Sequence, residues 1–236
     1  MKNSAFFLAA LCSGSLLVAS CSSDKAADST ATTTETTTTE GASGEMAGMD
    51  HSAGAAAGES PLMASMNEMM QKMEASKPKG NTDHDFAHHM LEHHKGAVAM
   101  ADIELRDGKD ATMRQMAEKM KAEQLKEITE LEAVATRLDS APTNYQPNDP
   151  ADPFTSKMKA SMDGMMQNMP KPVANPDMNF NMLMTVHHQS AVDMAKAELA
   201  HGKDTKLKEM AQMMITAQEK EIADFKAWHD KNTDKM

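Results

Sequence analysis

Cysteine is nearly absent: two in 236 residues, neither available to a folded domain. Cys12 sits in an N-terminal stretch that opens with Lys2 and continues as a short apolar run, Ala5 to Val18. That run is too short and too interrupted by Ser and Gly to span a membrane, and it reads as a leader over residues 1–20. Cys21 follows Val18, Ala19 and Ser20, the small residues of a lipoprotein cleavage box, so it is expected to carry lipid. With both thiols spent, no disulfide, CxxC redox pair or cysteine zinc site is available. Basic charge is short as well. The net charge is −11 and becomes −12 once Lys2 leaves with the leader, which argues against nucleic acid as a partner. Aromatics are only 3% of residues, and no segment alternates as a half-buried strand does. Leucine is scarce too, with 9 in residues 21–236 against 25 methionines. Methionine packs a core but specifies it poorly, so packing alone does not explain that inversion. The inversion is a clue to soft-metal chemistry.

What the chain has instead is a repeat. Phe86 to Ala101 (FAHHMLEHHKGAVAMA) returns as Phe180 to Ala195 (FNMLMTVHHQSAVDMA) at a constant offset of 94. The offset continues through Gly108/Gly202, Met116/Met210, Gln124/Gln218 and Glu127/Glu221. Upstream, Ala64 to Met73 echoes Ala160 to Met169 at an offset of 96. A duplication of this kind sets the architecture. The expected fold is all-α, an antiparallel helical bundle built from two tandem repeats of about three helices each. Residues 21–60 carry Cys21 and a Ser/Thr/Ala/Gly tether that cannot bury enough apolar surface to fold. At about 39 residues it would reach roughly 35 Å. The first repeat takes residues 61–140, a Pro-rich linker 141–153, and the second repeat 154–236. Helices are expected over 61–76, 83–106, 110–138, 154–169, 177–201 and 204–229. Gly108 suits a left-handed C′ position, and Asp110 a cap on the next helix.

Helical spacing puts Phe86, Met90, His93, Ala97 and Met100 on one face. With a tight turn at Gly108, His93 should face Gln124 on the next helix, Met90 should face Glu127, and Met100 should face Met116. The second copy repeats this with His187, Met184 and Met194 opposite Gln218, Glu221 and Met210. His94 lies four residues after Met90, and His188 four after Met184, so each can share an ion with that methionine. His89 is placed likewise before His93, but Leu183 replaces it in the second copy. Buried histidines that merely fix helix register are the plainer alternative, as is a methionine stripe in residues 61–76 that is simply core. Imidazole with thioether favours copper, Cu(I) over Cu(II), with zinc or iron as less suited ions. The Glu-x-x-His pairs of di-iron bundles are missing.

The pattern Asp-x-x-Phe-x-x-x-Met-[Ile/Leu]-x-His-His-x-x-Ala-x-x-Met-Ala, then a Gly turn, then Gln-x-x-Glu-Ile, resembles the ferritin-like "domain of unknown function 305" family. It covers Asp83 to about Leu131 and Asp177 to Trp228. The resemblance implies a helical bundle and, from envelope members of the family, copper binding and copper tolerance. Residue by residue it points to Met90, His93, His94 and Met100, and to Met184, His187, His188 and Met194. The chain departs from the pattern at Thr185, and it has Val134 where the second copy has Trp228. Within the tether, Met46, Met49 and His51 resemble the short Met/His motifs of envelope copper-resistance proteins and form a candidate accessory site, while His89 is an accessory candidate beside His93.

The reading that follows is a lipid-anchored protein of the cell envelope, facing the periplasm or exterior, that buffers, sequesters or hands copper to a transfer partner without catalysis. A metal-dependent oxidase using Glu127 and Glu221, or a structural or partner-binding bundle, are the alternatives. Cys21→Ser is expected to move the chain from the membrane fraction to the soluble fraction of its host. Unchanged partitioning would remove the lipid anchor.

Overall fold

The computed structural model describes residues 60–235. The leader, Cys21, Met46, Met49 and His51 lie outside the described residues. Among those residues there are six α-helices and no strand: α1 (Pro61–Ala75), α2 (Thr82–Asp107), α3 (Ala111–Leu138), α4 (Pro153–Gln167), α5 (Pro176–His201) and α6 (Thr205–Lys231). A short 3-10 turn, Thr233–Lys235, follows. No described helix is long and apolar enough to cross a membrane.

Each helix starts where a side chain can take up the orphaned N–H groups of its first turn. Ser60 accepts from Met63, Asn81 from His84, and Asn175 from Met178. Asp110, Asp152 and Asp204 do the same for α3, α4 and α6. Pro61, Pro153 and Pro176 stand at the first helical position, where no N–H is needed. The expected helices and their order are all present, with ends shifted by a residue or two.

α2 packs on α3 and α5 on α6 as antiparallel hairpins, while α1 lies on α2, and α4 on α5. The two repeats meet where α2 crosses α5. That crossing is latched at both ends by the same device. Asp83, at the start of α2, accepts from the N–H of Lys203 (2.7 Å) and Asp204 (2.6 Å) in the α5–α6 turn. Asp177, at the start of α5, accepts from Lys109 and Asp110 in the α2–α3 turn, both at 2.8 Å. The start of each central helix therefore lies against the end of the other, so α2 and α5 run antiparallel. Phe86, Phe180, Phe225 and a set of methionines fill the core around them.

The two turn glycines do a different job from the one expected. Gly108 (φ −66°, ψ 147°) and Gly202 (φ −64°, ψ 156°) are extended, not left-handed. A Cβ on Gly108 would stand 2.2 Å from Glu104 Oε1, and one on Gly202 2.0 Å from Glu198 Oε1. Glycine is required there because a buried glutamate folds back over it. Gly80 (φ 86°) is the one positive-φ glycine among the described residues.

Those glutamates lie beside the latches. Burial first, and then the adjoining Asp177 carboxylate, push Glu104 up to about 8. Burial and Asp83 push Glu198 up to about 9. Both are therefore protonated in the folded chain at neutral pH and ionised in the unfolded chain. Where the native state holds the extra proton, stability falls as pH rises, and the loss is complete above the folded pKa values. The unfolding temperature should drop from about pH 7 to about pH 9, a window above the ordinary imidazole pKa of the unfolded chain and above the depressed values of His93 and His187. The Glu104→Gln/Glu198→Gln variant should flatten that slope in thermal melts. A wild-type melt with no decline across the window would mean that these carboxyls ionise normally.

Candidate metal centre

The centre is assembled from the middle of α2 and α5, where the two helices meet. His93 and His187 stack there, with ring centroids 3.6 Å apart and planes tilted by 33°. Neither is exposed. His187 Nε2 lies 3.1 Å from the backbone oxygen of His93 and 3.2 Å from the sulfur of Met69. The carbonyl can only accept, so Nε2 carries the proton and His187 Nδ1 is left as a bare lone pair without a partner. His93 has no partner on either ring nitrogen.

The second histidine of each pair turns to its own hairpin. His94 Nε2 pairs with Glu127 Oε2 at 2.7 Å, and His188 Nε2 with Glu221 Oε2 at 2.8 Å. A carboxylate held at that distance fixes the N–H on Nε2 and orients the ring. It thereby leaves Nδ1 free to ligate, the arrangement that carboxylate-backed metal histidines use. Both Nδ1 atoms are buried and unpartnered. The four rings therefore present five orphaned nitrogens: Nδ1 and Nε2 of His93, and Nδ1 of His94, His187 and His188. Each such buried group costs about 1–3 kcal/mol.

Burial holds His93 and His187 well below the ordinary imidazole range, and the neighbouring histidines of the cluster add to the effect. Both are neutral at physiological pH, the form in which imidazole binds a metal.

One thioether reaches the rings, that of Met69, and the methionines expected at the site are largely buried. Met90, Met100, Met184 and Met194 are fully buried, Met210 is buried, and Met116 is half-buried. Met69 arrives from α1 through a gap that only glycine leaves, since a Cβ on Gly96 would lie 2.5 Å from its sulfur. Glu127 is partly exposed and Glu221 nearly buried, so the two copies differ in their access to water.

Several placements differ from helix-by-helix expectation. His93 meets His187 across the repeat interface, not Gln124 across the hairpin. The amide nitrogen and oxygen of buried Gln124 are both unpartnered. Glu127 and Glu221 engage His94 and His188, about one turn from the residues expected opposite them. Adjacent histidines point about 100° apart, so each pair serves two interfaces at once. The Nδ1 of His89 is bonded to the Asp85 carbonyl at 2.9 Å within its own helix.

Sequence reasoning treated Met69 as plain core. Gly96, which replaces the Ser190 of the second copy inside the histidine motif, was the one available sign of a close approach. It also passed over His84 and His88, an i, i+4 pair that meets Asp139 with ligand atoms within 4.8 Å of one another. Among the described residues this is the one group of three His, Cys, Asp or Glu side chains to converge so closely.

No curated protein matches the chain. A solved structure described as a DUF305 fragment from Deinococcus radiodurans is 24% identical, covers 66% of this chain and 99% of its own, and superposes with a TM-score of 0.48. CopM in its Cu(I)-bound form and CopM in its Cu(II)-bound form are each 23% identical, covering 63% of this chain and 96% of their own, also with TM-scores of 0.48. The family model described as Domain of unknown function (DUF305) matches residues 22–135 and again 83–229, most of the sequence, and the chain belongs to that family.

Proposed function

We propose that this chain is a copper-binding protein of the cell envelope, anchored through lipid on Cys21, that buffers, sequesters or passes on Cu(I) without catalysing a reaction. The observation that carries the proposal is the set of five unpartnered, buried imidazole nitrogens at the α2–α5 crossing, with a methionine sulfur 3.2 Å from one of the rings. A folded protein leaves few buried polar atoms unsatisfied, and a cluster of them calls for a ligand. Neutral imidazole and thioether are the donors that suit Cu(I). His93, His94, His187 and His188 would hold it, with Met69, Met90, Met100, Met184 and Met194 as sulfur donors and Met116 and Met210 at the next layer. Glu127 and Glu221 act on the histidines, not on the ion, which weakens the case for iron or zinc. The tether residues Met46, Met49 and His51 would supply a second, low-order copper site near the membrane. A periplasmic or exterior location follows from the lipid anchor, and a transfer partner would collect the ion there. CopM has been seen with copper and silver, but the proposal for this chain stands on its own side chains.

Titration of the full chain with Cu(I) against a chromogenic chelator, with Zn(II) and Fe(II) in parallel, tests the reading. Tight Cu(I) binding that neither Zn(II) nor Fe(II) displaces is expected. The combined variant Met90→Ala/His93→Ala/Met184→Ala/His187→Ala should bind less Cu(I). An unchanged stoichiometry in a folded variant would sink the proposal, and faster air oxidation of Fe(II) or Cu(I) than in buffer would turn it into an oxidase.

A second prediction needs no metal. Because neither ring nitrogen of His93 makes a well-formed hydrogen bond and the His187 backbone acts on the ring only weakly against its burial, His93→Leu should stabilise the apoprotein by about 1 kcal/mol in urea denaturation, at the expense of copper binding. A loss of apo stability instead would make His93 a structural residue.

A further inference from the structure

A second cluster lies at one end of the bundle, away from the stacked histidines. His84 and His88 occupy the first two turns of α2, one above the other, with ring centroids 4.3 Å apart. Asp139 approaches from the C-terminus of α3, which it caps. His84 is buried, His88 is half-buried and Asp139 is exposed, so the group opens to solvent on one side. We propose that His84, His88 and Asp139 form a binding site for a divalent transition-metal ion, separate from the methionine and histidine centre.

Three features make this more than a chance grouping. Ligand atoms of all three side chains lie within 4.8 Å of one another. The Nε2 of His88 is buried and has no hydrogen-bond partner. Third, His84 already has the backing of a metal histidine: its Nδ1 lies 2.7 Å from Asp85 Oδ1, while its Nε2 faces Asp139 at 3.3 Å. Asp85 is itself fixed by the backbone N–H groups of Lys79 (2.9 Å) and Gly80 (2.8 Å) and by the Tyr145 hydroxyl (2.7 Å). A carboxylate so anchored sets the tautomer and orientation of His84 and leaves Nε2 to the ion.

Two imidazoles and a carboxylate, with no sulfur, suit Zn(II) or Cu(II) and not Cu(I). Donors around a tetrahedral ion at 2.0–2.2 Å stand roughly 3.5 Å apart, so the widest separation must close by about an ångström. Asp139 can supply that movement, because its side chain is 56% exposed. It is held now by Lys79, whose ammonium sits 2.7 Å from Asp139 Oδ1. The ion must displace that ammonium. Metal and lysine therefore compete for one carboxylate.

The second repeat cannot copy this site. At the offset of 94, Met178 and Met182 replace His84 and His88. A single divalent site per chain is expected.

The test is a Zn(II) titration of the full apo chain by calorimetry, with helicity recorded for every variant. His88→Ala should remove one Zn(II) equivalent, and Asp139→Asn should weaken the same equivalent on the order of tenfold or more. Lys79→Met should tighten it several-fold by freeing the carboxylate, an outcome that a purely structural ion-pair cluster does not predict. Cu(I) binding should be untouched by all three, so failure here and failure of the copper reading can be told apart. Equal Zn(II) stoichiometry and affinity in wild type, His88→Ala and Asp139→Asn would overturn the proposal.

Discussion

The antiparallel crossing of α2 and α5 is the constraint on which everything else rests. It is secured by two aspartates that each bind two backbone N–H groups of the other repeat's turn. Such charge-assisted bonds to backbone are short and directional, and here each starts one central helix and closes the far hairpin at once. Since the latches fix both ends, the register in the middle is fixed as well, and His93 has to meet His187. The extended glycines and the protonated glutamates belong to the same device. Glu104 folds over Gly108 beside Asp177, and Glu198 over Gly202 beside Asp83, so that each latch has a buried carboxyl at its back.

This arrangement divides polar groups by purpose. At the helix ends the caps, the latches and the Asp85 hub have partners of known geometry, although the Glu104 and Glu198 carboxyls behind the latches and the Nε2 of His88 do not. The polar groups in the middle, where the histidines lie, are not satisfied. An apolar residue of similar size at His93 would cost less to bury, so the fold tolerates the imidazoles without depending on them. The carboxylates of Glu127 and Glu221 extend the division. They fix the outer face of His94 and His188 and leave the inner nitrogen bare, which is orientation without saturation.

Much of this was legible in the sequence, and what was not has a common cause. The repeat, the helix order and the Asp110 cap follow from local rules, because capping and periodicity involve residues near one another in the chain. Hairpin partners were legible only approximately: an expected register set Met90 opposite Glu127, whereas Glu127 takes His94. Contacts between repeats were not legible at all. Nothing in either copy alone says that His93 stacks on His187, that Met69 reaches over Gly96, or that Asp139 returns to His84. Glycine was ambiguous in the same way. A left-handed turn and a close approach both demand it, and at Gly108 only the position of Glu104 decides between them.

The excess of methionine over leucine can now be placed. Many of the buried methionines, including Met66, Met113, Met120 and Met178, lie in the general core, where a thioether does what leucine would do with less precision. A core so built would be expected to wander. It does not have to specify the histidine layer, however, because the Asp83 and Asp177 latches do so from outside, through backbone bonds that no core side chain can shift. Pliant methionines around rigidly crossed helices give a centre whose nitrogen donors are set in advance and whose sulfur donors can adjust. No three of His93, His94, His187 and His188 bring ligand atoms within 4.8 Å of one another, so an ion held there would draw on the pliant methionines as well as on the rings.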